Sequence, residues 1–486
     1  MSVQPSPLEP LRPAYRVQYL TDEQLDQLQD ATLNILENVG VKFPSERALN
    51  ILNGHGAKVD KDTQIVKFPR DLVLRALKSV PRYFVMGARV PEYDLQLEDG
   101  VTYFTTDGCG VQVVDLDSQT ERASRKSDVA MMARIADYLP SIGFQWPMVS
   151  AQDYGRTSIL HELDAVWNNS VKHIQSETIM GKRECEYAIE LSTVITGTKE
   201  ELRKRPPISL LVCSIAPLMQ DQAGIEGAMV MAEAGIPVGF LAMPTLGTTA
   251  PATHAGALAM ADAEVISATV LMQLVAPGSP VFHSIMQAWA DPRTGGYISY
   301  PRDGRGRYGT VEMAHHWGMP CLGACYGTDS IETGTWQSAA EPALDPFLAG
   351  LVCPEIVTGM GLARTYTRLY PEQIILDEDL YQRARTYLMR MDVNEETLAM
   401  ETIHNVGPGG HFLAQKHTRK HMRTSLVRGV THELDETNKY RDPREVARER
   451  VRWILENHHP EPLEKTKQNE LTRILVMADK EIGGNN

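Results

Sequence analysis

The chain has 486 residues, 43% of them hydrophobic, and a formal charge of −14. That length can bury a large core, either as two domains or as one large α/β barrel with additions. The acidic balance argues against a coat for nucleic acid or for an acidic membrane, since both need clustered positive charge, but it is compatible with a small cationic substrate.

The Pro-rich first twenty residues read as an arm lying over the surface or over a second subunit. A helix is predicted from Thr21, where TDEQ supplies an N-cap Thr with Gln24 at the reciprocal position, and Gly40 should end it. A second helix near 46–52, the short strands AKVD and IVKF, a helix over 69–78 and the strand YFVMGA complete a small α+β cap over residues 1–95. The N-terminus has no apolar leader, and the long apolar stretches are broken by charges, Pro or Gly, as at Glu233 and Pro237. No export and no membrane span is therefore expected. The six cysteines (Cys109, Cys185, Cys213, Cys321, Cys325, Cys353) form no CxxC pair, which fits a reduced, cytoplasmic setting and disfavours a structural zinc held by sulfur.

From residue 96 the pattern changes to short apolar runs separated by helical stretches, as in parallel β/α units. Eight runs are candidates: TYFTT (102–106), GFQWPM (143–148), KHIQSE (172–177), ISLLVCS (208–214), PVGFLAM (237–243), PVFHSIM (280–286), PCLGACY (320–326) and EIVTGMG (355–361). Eight such units predict a (β/α)8 TIM barrel over 96–365. None is followed by GxGxxG or GxxxxGK[ST], so nucleotide binding has no support. Residues 366–486 read as a helical extension whose alternating charges suit helices covering the barrel or a second subunit, and a homo-oligomer is expected.

Barrel chemistry sits at the C-terminal ends of the strands. The residues falling there include Asp107, Trp146, Gln175, Glu177, Cys213, Met243, His283, Met286, Trp289, Tyr326, Asp329 and Met360. Aromatic and sulfur side chains dominate, and few groups could form a nucleophile–base pair, so the set suits a cation or a bulky apolar cofactor.

Several stretches resemble the trimethylamine methyltransferase superfamily, in its branch without pyrrolysine. They are LENVGVKF, NGHGAKVD and FTTDGCGVQVVD, and above all MPTLGTTAPATHAGALAMADAEVISATVLMQL, GTDSIETGTWQSAAE and GPGGHFLAQKHTRKHMR. The resemblance implies a TIM barrel enzyme that moves a methyl group from a quaternary amine, such as glycine betaine, to Co(I) of a separate corrinoid protein. The chain has no DxHxxG signature, so the corrinoid would be carried by that partner, with no metal bound by this chain. A cage for the N-methyl cation would come from Trp146, Trp289 and Tyr326, with Phe104 a lesser candidate, although each could equally be core. Gln175 belongs to the same substrate-binding set. Two readings stand for Arg293, partner to a betaine carboxylate or staple to Asp291; His283 is either a carboxylate contact or a satisfied core histidine. Asp329, Gln337 and Glu341 match the strand-seven motif and either position substrate or cap a helix. GTTAPATHAGAL is a floor for the macrocycle or a site of tight helix packing.

Rival readings are a trimethylamine-type enzyme, a zinc-dependent methyltransferase drawing on Glu177, His283, His404, His411, His417 and His421, and a barrel that binds betaines without catalysis. In GPGGHFLAQKHTRKHMR, His417 and His421 share a helix face at i, i+4. The favoured reading places His411, His417 and His421 at the barrel rim, bracing it or docking the corrinoid protein.

Overall fold

The apolar runs become strands because each is buried on both faces. They are β1 (Tyr103–Thr106), β2 (Ile142–Gln145), β3 (His173–Glu177), β4 (Ile208–Cys213), β5 (Val238–Ala242), β6 (Val281–Ile285), β7 (Leu322–Cys325) and β8 (Ile356–Met360). In this computed structural model, which describes residues 7–108, 110–177, 181–298, 305–325, 327–425 and 429–483, they pair in parallel in the order β6-β5-β4-β3-β2-β1-β8-β7. The ring closes between β6 and β7 through a parallel bridge of His283 with Cys321, and the His283 N–H donates to Pro320 O at 2.9 Å. All eight expected strands are present, and the architecture is the expected (β/α)8 barrel.

Period-two alternation divides each strand between lumen and shell. Tyr103, Phe144, Trp146, Leu211, Leu241, Phe282, Leu322 and Ile356 form one cluster inside the barrel, over a floor of Met86, Leu95, Leu97 and Val101. Their neighbours Phe104, Leu210, Phe240 and Val281 face outward into the shell of helices. The lumen is filled tightly enough that Gly239 has no room for a side chain: a Cβ there would stand 2.0 Å from the Phe282 ring.

The helix from Thr21 forms as Asp22–Asn34 with the expected reciprocal cap, and it runs on through a π turn, Ile35–Val39, before Gly40 ends it. With Glu46–Gly54, Arg70–Leu77 and a three-stranded sheet it covers the helix His254–Val275. The N-terminal arm is held by Glu312, whose carboxylate accepts from the Tyr19 and Leu20 N–H groups. His254–Val275 is the one described helix long and apolar enough to cross a bilayer. Because 89% of its apolar window is buried within the protein, its all-round apolarity is that of a core helix.

The eighth unit continues through the helix Gln373–Leu388, whose Tyr381 packs edge-on against Phe104 at 5.0 Å. Two late helices then close over the barrel's own helices. Pro443–Asn457 is tied by Arg444 and Arg448 to the buried Glu372 (3.1 and 3.0 Å), and by Trp453 to Tyr138. Lys465–Glu481 is tied by Glu481 to Arg183 and Tyr187, each at 2.6 Å.

One buried junction joins barrel, core helix and cap. Asp262 on His254–Val275 accepts from His283 Nε2 (2.7 Å), Thr32 Oγ1 (2.7 Å) and Trp317 Nε1 (2.9 Å). Removing the carboxylate strands the buried His283 Nε2 and the half-buried Trp317 Nε1, while Thr32 Oγ1 keeps the Ala259 carbonyl at 3.3 Å. Asp262→Ala should therefore lower unfolding stability by about 3 kcal/mol or more in urea titration, whereas a loss below about 1 kcal/mol would mean that the donors find other partners.

Candidate functional site

The C-terminal mouth of the barrel gathers Trp146 beyond β2, Cys213 at the end of β4, Met243 beyond β5 and Met286 beyond β6. Trp146 is 4% exposed and lies flat against the loop after β1, where a Cβ on Gly108 would come 1.9 Å from its Nε1. Its backbone is fixed from β1 by Thr106 Oγ1, which accepts from the Trp146 N–H (2.9 Å) and donates to the Trp146 carbonyl (2.6 Å). Trp289 stands on a short strand, Ala288–Ala290, that extends the loops after β5 and β6 into a small sheet. Its ring meets His254 edge-on at 5.5 Å, and its buried indole nitrogen has no hydrogen-bond partner. His254 is itself held by Gln287 at 2.6 Å and so orients Trp289.

Gln175 faces the lumen from β3 and is fully buried. Tyr326 lies outside the described residues, as does the side chain of Glu177. The loop 247–253 after β5 is mostly exposed and carries no side chain larger than Thr or Pro.

Several expected site residues lie elsewhere. Phe282 fills the lumen, so its neighbour His283 must face outward, where it binds Asp262; it contacts the core helix and not a lumen ligand. Phe104 is on the shell side for the same reason. Arg293 takes the staple arrangement: its backbone N–H, Nε and Nη2 all bind Asp291, at 2.8, 3.1 and 2.9 Å, and its side chain is 84% exposed. Asp329 accepts from Thr365 Oγ1 at 2.8 Å, and Gln337 donates to Glu341 at 2.7 Å, so these three fasten the loop after β7.

That fastening is one instance of a pattern the sequence reading missed. Loops at the mouth are bracketed by carboxylates from the surrounding helices. Glu162 accepts from Ser150 Oγ (3.0 Å) and the Ala151 N–H (2.9 Å) after β2. Glu264 accepts from Ser214 Oγ and the Leu218 N–H (2.8 Å) after β4. Glu341 accepts from Thr328 Oγ1 (2.5 Å) and the Asp329 N–H (2.8 Å) after β7. Asp377 accepts from the Gly361 N–H (2.7 Å) and Gln373 Nε2 (2.8 Å) after β8. Burial pushes the Glu162 and Asp377 carboxyls each up to about 7 and raises that of Glu264, against the opposing pull of the hydrogen bonds. A sequence signal existed, since isolated acids such as those in ALAMADAEVISATVL interrupt an otherwise apolar helix.

The histidine segment departs from the body on the opposite side. Leu388, at the end of its helix, accepts from the Ala14 N–H (2.8 Å), in the arm whose Leu11 pairs with Thr102 just before β1. The chain therefore leaves beside the N-terminal rim and returns at Val430 and Thr431, held by Asp379. Within this excursion the His417 and His421 rings lie 4.3 Å apart, and Glu396 gathers their helix: its carbonyl accepts from His417 (3.0 Å), and its carboxylate meets Lys420 and His421. The described contacts are those of an internal brace. Among the described residues no group of three or more His, Cys, Asp and Glu side chains is arranged to hold a metal ion.

A family model described as trimethylamine methyltransferase (MTTB) matches residues 3–483. Trimethylamine methyltransferase MttB of Desulfitobacterium hafniense (strain DSM 10664 / DCB-2) is 30% identical over 469 residues, covering 95% of this chain and 94% of that protein. Glycine betaine methyltransferase of Desulfitobacterium hafniense (strain Y51) is 27% identical, covering 97% and 99%. The crystal structure of the Methanosarcina barkeri monomethylamine methyltransferase (MtmB) matches at 12% identity with a TM-score of 0.46, covering 89% of this chain and 92% of that one.

The brackets make the mouth sensitive to pH. Below an ordinary value of 4.5 the Glu162 carboxyl is neutral in both folded and unfolded chains; between there and about 7 it is charged only when unfolded, so folding takes up a proton. Its favourable contribution is thus complete at low pH and lost as pH rises through about 7. Glu162→Gln, which keeps an acceptor oxygen but cannot ionise, should gain thermal stability relative to the parent between pH 6 and pH 8. A Tm difference that stays flat over that interval would contradict the assignment.

Proposed function

The chain belongs to the trimethylamine methyltransferase family, and from that premise we propose that it moves a methyl group from a quaternary amine, glycine betaine or a related betaine, to Co(I) of a cognate corrinoid protein by in-line displacement. The observation that carries this reading is the mouth itself: two indoles, Trp146 and Trp289, with thioether and thiol neighbours. A quaternary ammonium needs such a surface, because the negative face of an aromatic ring attracts a desolvated cation by about 2 kcal/mol.

The chemistry asks little more of the protein. As the new bond to the methyl carbon forms, the C–N bond breaks and its electron pair stays on nitrogen. The tertiary amine leaves neutral, so no proton need be moved in the step and no general acid is required. The chain's task is to bind the cation with one methyl turned out of the barrel and to hold it still, which the bracketed loops suit. The small side chains of the loop 247–253 suit the approach of a flat acceptor. A Co(I) acceptor demands a reducing compartment, and we place the reaction in the cytoplasm.

Methyl transfer to Co(I)-cobalamin, followed by its absorbance, should occur with at least one of glycine betaine, proline betaine, carnitine and choline, and not with trimethylamine; reaction with trimethylamine alone would overturn the quaternary-amine assignment. Gly108→Ala, which must shift the Trp146 ring without changing charge, should raise KM for the reactive amine by about tenfold, as expected for a partly lost cation–π contact.

A further inference from the structure

Five glutamines are fully or almost fully buried, and four of them show partners. Gln145 donates to Ala133 O and Ser170 Oγ, Gln220 to Glu264 O and Ser267 Oγ, Gln273 to Ser279, and Gln373 to Asp377. Gln175 is the exception. It is 0% exposed, and neither its amide nitrogen nor its amide oxygen has a partner. Among the described residues it is the one side chain with two polar atoms both buried and unpaired. An amide can donate two hydrogen bonds and accept two, so leaving all of them unmet in an apolar interior is a standing cost that a bound ligand would relieve.

The amide points into the lumen. Its same-face neighbour His173 binds Gly87 O (2.7 Å) and Ser209 Oγ (2.9 Å) and packs edge-on against Phe144, a member of the lumen cluster. Ile174, between them, belongs to the shell. The β2–β3 register pairs His173 with Phe144 and Ile174 with Gln145, where the pairing ends, and Gln175 and Trp146 are the next residues of the two chains toward the mouth. It lies one turn of the pleat below Glu177, at the mouth end of β3. The described inward positions of the eight strands carry no Lys or Arg.

We propose that Gln175 reads the carboxylate of a zwitterionic N-methylated amine, its amide N–H groups donating to the carboxylate while the neighbouring Trp146 ring takes the ammonium group. This rests on the methyl-transfer reading and narrows it to amino acid betaines. A neutral amide suits a substrate of zero net charge, whereas a buried Arg would favour simple anions. With the carboxylate held at the fully buried Gln175 amide, the methylated end of the ligand is the end left for an acceptor to approach.

The test is calorimetric binding of glycine betaine, choline and tetramethylammonium to the parent and to Gln175→Leu and Gln175→Glu, alongside Tm and the methyl-transfer assay. Gln175→Leu should weaken glycine betaine about 10- to 100-fold, as for a lost hydrogen bond to a charged group, and leave tetramethylammonium within about twofold. Gln175→Glu should abolish betaine binding and strengthen the two cations. Tm of Gln175→Leu should equal or exceed that of the parent, since Leu removes unmet polar atoms. Parallel losses for all three ligands, no loss for any, no betaine binding by the parent, or a marked fall in Tm would each overturn the proposal. Selective betaine binding without methyl transfer to any acceptor would instead sink the methyl-transfer reading and leave the role of Gln175 standing, whereas transfer indifferent to Gln175 would do the reverse.

Discussion

The mouth of this barrel depends on carboxylates that the helices offer to its loops. A loop at the end of a parallel strand has backbone N–H groups with no ladder partner, and near the lumen they are also cut off from water. Glu162, Glu264, Glu341 and Asp377 supply acceptors from outside the strand ring, and each takes two donors. The raised carboxyls of Glu162 and Asp377 measure the tension in the arrangement: burial opposes charge, and the hydrogen bonds only partly offset it. Asp262 does the same service on the shell side, joining β6 to the core helix and the N-terminal cap.

Loops fixed in this way can present apolar side chains without collapsing onto them. Trp146 is pinned by its backbone to Thr106 and laid against Gly108, and Trp289 is set by His254. A cation held against such surfaces loses water and gains ring contacts, while its methyl carbon stays accessible from the rim. Among the described residues, Glu162, Glu264, Glu341 and Asp377 are committed to holding the loops of the mouth.

The barrel was legible in the sequence because parallel strands covered on both faces read as unbroken apolar runs, and all eight were found. The same property hid the direction of each side chain, since a run without polar alternation gives no sign of which face is inside. Of the two readings left open for His283 the structure takes the core one, and Phe104, the lesser cage candidate, lies in the shell; each is one residue out of phase with Phe282 and Tyr103 in the lumen. Arg293 took the local option, its own Asp291, which sequence proximity made available. GPGGHFLAQKHTRKHMR shows a different limit: helical spacing correctly put His417 and His421 side by side, but nothing local records that the chain leaves beside the N-terminal rim. The brackets went unnoticed because a lone acid in an apolar helix has no spacing partner to reveal it.

A crystal structure of the protein with glycine betaine would show whether the ligand sits in the lumen and which way it points. The trimethylammonium group should lie within about 6 Å of the Trp146 ring centroid, one methyl facing the rim, and the carboxylate about 3 Å from the Gln175 amide. A ligand with its carboxylate toward the rim, or one bound outside the strand ring, would contradict that arrangement.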